Sequence, residues 1–176
     1  MRYRNITVSG EIASGTSTLS QQLAKELGRQ CINVGKWFRE YCRKKGLALE
    51  EASLRSDELT REVDLGLKVR LKQEEQLIAE GWLTGYMAQG IEGILKVLLV
   101  APVELRVERF MKREGVNKEE AEIHIQKRTE GNMEKWQRVY GTVDFLKPDL
   151  YDVVIDTSCH DAQNALELVM EELDGK

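Results

Sequence analysis

At 176 residues, with 41% hydrophobic and 32% charged residues, the chain is long enough to bury roughly 70% of its unfolded surface as one domain, 1–176. A net charge of −4 and a pI of about 5.4 argue against wholesale capture of nucleic acid. Cys31, Cys42 and Cys159 have no CxxC spacing, which argues against a zinc site or a disulfide framework. With no apolar leader and no run near the roughly 18 apolar residues of a membrane span, the expected location is cytoplasmic and off the membrane.

In chain order, short apolar runs alternate with helical patterns, the signature of a parallel sheet flanked by helices. The stretch "YRNITVS" reads as the first strand. A glycine loop follows, then a helix over "TLSQQLAKELG" with Leu19, Leu23 and Leu27 on one face and Gly28 as its stop. "CINV" is a short second strand, and "GKWFREYCRKKG" a second helix ended by Gly46, with Trp37 and Phe38 as its core anchors. Residues 50–75 are polar, with Val63, Leu67 and Leu71 keeping a four-residue apolar step, as in a largely solvated helix. "QLIAEG" closes a third strand on Glu80 and Gly81, and "LKVLLVAP" is a buried fourth strand stopped by Pro102. In "VELRVERFMKREG", Val103, Val107, Phe110 and Met111 form a core face while Arg106, Arg109 and Arg113 share another. Asn117 opens a further helix with Glu120 three residues on. "DVVID" is the last strand, and a final helix starts at Asp161. The fold class is α/β, a doubly wound five-stranded parallel sheet.

The chemistry lies between the first strand and first helix. Gly10, Glu11, Ile12, Ala13, Ser14, Gly15, Thr16, Ser17 and Thr18 follow the phosphate-loop pattern Gly-x-x-x-x-Gly-Lys-Ser/Thr, except that Thr16 stands where the lysine belongs. Such a loop binds phosphate mainly through backbone N–H groups and the helix dipole, so the site survives the exchange. Ser17 or Thr18 supplies a hydroxyl for Mg²⁺. The positive charge must come from elsewhere, because phosphoryl transfer depends on electrostatic stabilisation. Nine cationic residues lie between Arg106 and Arg138, interleaved with glutamates. They read either as that supply or as a solvated, salt-bridged hairpin.

Together these pieces resemble the archaeal type of cytidylate kinase, small phosphate-loop nucleoside monophosphate kinases. The likeness rests on the Ser14–Thr18 run, "NVGKWFRE", "EGWLTGYMA", "APVELRVERFMKREGVNKEEA" and "YGTVDFLKPDLYDVVIDTS", and covers about residues 4–172. It implies transfer of the ATP γ-phosphate to CMP or dCMP with Mg²⁺, small-molecule substrates only, and no nucleic-acid or membrane partner. Residues 10–18 would hold ATP, with Ser17 and Glu80 on the metal. A helical segment at 35–75 would bind the acceptor, with Arg39 facing its phosphate and Lys36, Asp64, Arg70, Gly81 and Trp82 beside it. A lid at 117–138 would bring in Arg128, supported by Lys135, Arg109 and Arg113. His124 and His160 are expected to face solvent.

Three positions depart from that family's pattern. Trp82 stands where an arginine is usual, Leu65, Gly66 and Leu67 replace an arginine pair after Asp64, and Lys135 replaces an arginine. The losses fall on the acceptor side, so two further readings stay open: a kinase for a different small acceptor, with Asp64 as its base, or a nucleotide binder without turnover. Trp82 either stacks on a flat acceptor or packs beside the sheet. If the acceptor side has lost cations, Trp82→Arg raises kcat/KM for CMP in a coupled ADP-release assay.

Overall fold

In the computed structural model of the chain, residues 2–44, 56–142 and 144–175 are described, with the side chains of 39 and 41–43 excluded. Arg39, Cys42 and the helix stop at Gly46 therefore lie outside the described parts.

Five strands, β1 (Asn5–Gly10), β2 (Gln30–Asn33), β3 (Leu77–Glu80), β4 (Ile94–Val100) and β5 (Val153–Asp156), form one parallel sheet in the order β2-β3-β1-β4-β5. All six residues of β1 are buried, which suits its central place. The chain runs from β1 outward to β2, returns through β3, then crosses to β4. That reversal beside β1 opens a crevice at the C-terminal strand ends, where ligands bind in such sheets.

Alternation along the strands sorts side chains between the two faces. Ile78 joins Ile6, Val8, Leu95, Val97 and Leu99 beneath α1 (Thr16–Leu27) and α7 (Ala162–Asp174). Its neighbours Leu77 and Ala79 point the other way, against Leu67 and Leu71 of α3 (Asp57–Gln73) and Trp136 of α6 (Lys118–Tyr140). The apolar step expected over 50–75 is thus a core face: Val63, Leu67 and Leu71 are all buried. The rest of the helix, apart from Thr60 and Asp64, is exposed or half-buried, as expected of a largely solvated helix. Buried Asn5 fixes the end of α3 to the sheet, donating to the carbonyls of Leu71 and Glu74 and accepting from the N–H of Leu77.

The second helix, α2 (Val34–Lys44), carries Phe38 into a small cluster with Val63, and Trp37 packs against the same cluster. The fourth strand leads into α5 (Val103–Glu114), which is capped by Gly115. Asn117 then begins α6 with a reciprocal capping box to Glu120.

The turn α4 (Thr84–Met87), which starts four residues after Glu80, has no counterpart in the sequence pattern. Too short for periodicity, it is held by polar anchors. Ser9 Oγ lies 3.0 Å from Thr84 Oγ1 and accepts from the N–H of Gly85. Gly85 also makes room for Tyr151, whose ring a Cβ there would penetrate. Tyr151 is itself fixed by donating to the carbonyl of Phe145 at 2.7 Å. Gly85→Ala is expected to cost about 2 kcal/mol through overpacking, a fall of roughly 4–8 °C in Tm by calorimetry.

Candidate active site

The loop between β1 and α1 is shaped by sterics. At Gly10 a Cβ would strike Ser14 Oγ and lie 2.7 Å from the carbonyl oxygen of Leu99, so only glycine fits. Ala13 (φ 63°) and Gly15 (φ 106°) turn the chain through the left-handed region. Gly15 caps α1 without a side-chain hydrogen bond, which leaves the first-turn N–H groups for an anion.

Behind the loop stands Glu80, only 7% exposed at the end of β3. Its Oε1 accepts from Thr16 Oγ1 at 3.1 Å and from Ser17 Oγ at 2.6 Å, and its Oε2 from Asn33 Nδ2 at 2.7 Å. Thr16, standing where a lysine is usual, therefore braces the carboxylate. Of the two candidate hydroxyls, Ser17 is the one bonded to Glu80. A hydroxyl and a carboxylate in contact at a phosphate loop form an oxygen donor set that fits Mg²⁺, which takes one or two protein oxygens and completes its shell from phosphates and water. Burial, with Glu80 nearby, pushes the Cys31 thiol up to about 11, so it stays neutral.

Two cavities meet at the loop. The first, about 390 Å³, lies between Gly15–Leu19, Arg109, Arg113 and the turn from Thr157 to Ala162. The second, about 330 Å³, opens on the other side toward Asn33, Phe38, Asp64, Trp82, Arg128 and Lys135. Ala13, Thr16, Ser17 and Arg113 line both.

The three arginines that share a face in the α5 sequence have separate surroundings. Arg106 is 6% exposed and pairs with Glu11 of the loop at 3.2 Å. Arg109 clasps Thr157, Nη1 to Oγ1 at 2.8 Å and Nη2 to the carbonyl at 2.7 Å, while Thr157 Oγ1 also donates to the carbonyl of Ser14 at 3.0 Å. The end of β5 is thereby bound to the loop. Arg113 is more exposed, bonded to Glu114 at 2.7 Å and set over the Phe110 ring.

In the second cavity, Asp64 accepts from the Tyr140 hydroxyl at 2.5 Å. Burial and then the Asp64 carboxylate push that phenol well above its ordinary value, so it remains a donor at physiological pH. Lys135, expected either on a lid or on a solvated hairpin, is only 2% exposed. Trp82 packs on Trp136 with ring centroids 5.4 Å apart and also lines the cavity. Gly81 lines the cavity beside it. A Cβ on Gly66 would meet the Trp37 indole at 3.0 Å, so the indole fills the space above that position. Arg70 lies elsewhere, bonded through Nε and Nη2 to Glu74 at 2.6 and 2.7 Å. Lys36 is exposed, its N–H capped by Asn33 Oδ1 at 2.8 Å. His124 is exposed beside the Phe110 ring, as expected. His160 departs from expectation: it is half-buried, lines the first cavity, and places Nδ1 2.9 Å from the Asp156 carbonyl.

Sequence reasoning missed Asn33, Thr60, Asn132 and Thr157. Asn33 and Thr157 stand inside the stretches "NVGKWFRE" and "VVIDTS", but nothing in spacing alone assigns them a task. Thr60 and Asn132 carry no local signal.

A five-stranded parallel sheet in this order, with an anion-binding loop after β1, an acidic residue ending β3 and a cavity on either side, defines a phosphate-loop kinase. The fold matches solved kinases: shikimate kinase from Acinetobacter baumannii at a TM-score of 0.63 and 18% identity, covering 98% of this chain and 94% of that one. An uncharacterized protein from Eubacterium ventriosum superimposes at 0.77 with 14% identity, covering 98% and 99%. Residues 64–159 match the cytidylate kinase-like family, and the cytidylate kinase of Pyrococcus abyssi is 36% identical over 172 residues, 96% of this chain and 93% of that one. The chain belongs to the cytidylate kinase-like family, and it is an ATP-dependent phosphotransferase. No helix among the described residues is long and apolar enough to cross a membrane.

Arg109→Ala removes both bonds to Thr157 and leaves the Thr157–Ser14 bond as the tie between the loop and the end of β5. It is expected to weaken ATP binding about tenfold or more in isothermal titration calorimetry.

Proposed function

We propose that the chain transfers the γ-phosphate of ATP to CMP or dCMP in the cytoplasm, with Mg²⁺. The observation that carries this reading is the junction of two cavities at Ala13, Thr16, Ser17 and Arg113. A donor in the first and an acceptor in the second would meet at one point, which is the arrangement direct transfer requires.

In this reading the loop N–H groups and the α1 dipole hold the donor phosphates, and the cavity beside Arg109 and Thr157 takes the donor's base. Ser17 and Glu80 would hold Mg²⁺, which would supply charge to neutralise the phosphate oxygens. The acceptor lies in the second cavity, held by α2 and by Asp64, with Trp82 and Phe38 as its aromatic wall. An oxygen of its phosphate bonds to the γ-phosphorus as the bond to the bridging oxygen of the β-phosphate breaks, and ADP leaves with that electron pair. No general base is needed, because a phosphate acceptor is already ionised near pH 7. Arg113 and Lys135, with Arg128 on the same helix, supply the cationic charge that the loop lacks without its lysine.

A second reading has one observation in its favour. Asp64 lines the acceptor cavity, 8% exposed, where a hydroxyl acceptor would need a base.

ADP release from Mg-ATP with CMP, dCMP, UMP, AMP and GMP separates the two. CMP or dCMP is expected to exceed the others at least about tenfold in kcat/KM. Turnover with none of the five overturns the cytidylate assignment and leaves the hydroxyl acceptor and the nucleotide binder without turnover.

A further inference from the structure

Asn33 has a side chain committed at both ends. It is the last residue of β2, paired with Glu80 across the sheet, and stands immediately before α2. Its Nδ2 donates to Glu80 Oε2 at 2.7 Å, and its Oδ1 accepts the Lys36 N–H at 2.8 Å. The orientation of the amide is fixed by chemistry: a backbone N–H can only donate and a carboxylate can only accept. One amide therefore ties the first turn of the acceptor-side helix to the carboxylate that braces Thr16 and Ser17.

We propose that Asn33 is a positioning residue for the metal site, acting through Glu80. This rests on the Mg-ATP reading above. Glu80 ends a strand with its Oε1 already shared by two hydroxyls. Without Asn33, Oε2 loses its donor, and the carboxylate is free to rotate away from Ser17. Because the same amide caps α2, the carboxylate that serves the donor phosphates is set by a residue belonging to the acceptor side.

The test measures binding with no acceptor present, so it does not depend on which nucleotide is phosphorylated. ATP affinity is determined by calorimetry in EDTA and in Mg²⁺, for the wild type, Asn33→Ala, Glu80→Gln and the double variant. The Mg²⁺ enhancement of ATP binding is expected to fall about tenfold in Asn33→Ala, with affinity in EDTA within about twofold of wild type. The double variant is expected to be no worse than Glu80→Gln alone. Asn33→Ser, which keeps a capping oxygen but is too short to reach Glu80, is expected to show the same loss with α2 still capped. Full Mg²⁺ enhancement in both Asn33 variants, or losses that simply add in the double variant, overturns the proposal. A wild-type chain that binds ATP no better with Mg²⁺ overturns the kinase reading together with it.

Discussion

A carboxylate enclosed at the end of a parallel sheet is tolerable only if its oxygens are filled, and the site is arranged around the filling of Glu80. Thr16 and Ser17 reach it from the start of α1 and Asn33 reaches it from β2, while β3 carries it beside β1. Three neighbouring strands and the phosphate loop converge on one side chain. The register that pairs Val8 and Asn33 with Glu80 is what allows those contacts. A slip of one residue would send the carboxylate to the other face.

The missing loop lysine has a local meaning in that setting. A lysine at position 16 would bring a mobile charge to the phosphates; Thr16 instead adds a fixed bond to the carboxylate. The cationic residues that line the cavities come from outside the loop, on α5 and α6. Arg106 answers the acidic Glu11 inside the loop, and Arg109 is spent on Thr157, which leaves Arg113 as the arginine of α5 that borders both cavities. The same residue type at successive turns of one helix thus serves loop neutralisation, loop anchoring and the junction of the cavities.

The strands and their order of burial were legible because parallel strands are apolar runs bounded by turn residues, and the loop was legible because Gly10 and Gly15 are steric requirements. The helix over 57–73 was legible in its period but not in its partner. Its apolar stripe meets Trp136 and Phe145, residues far along the chain. The short α4 was invisible, since its anchors Ser9 and Thr84 are 75 residues apart. Likewise, charge interleaving along α6 suggested a solvated hairpin, and nothing local distinguished Lys135, which tertiary packing buries, from its exposed neighbours. Asn33 escaped for the same reason: its task is set by what lies across the sheet.

The twenty-three residues of α6 form one uninterrupted helix, about 35 Å long, from the capping box at Asn117 to Gly141. It carries Arg128 in its middle and Trp136, Val139 and Tyr140 against the body of the protein, and Arg138 grips Asp57 at 2.9 Å. A rod of this kind transmits displacement along its length. Its first half is packed as well, with Ala121 and Ile125 buried against Val107 and Phe110 of α5. The far end is moored beside Asp64 through Tyr140, so a displacement at the contact with α5 would be felt in the wall of the second cavity.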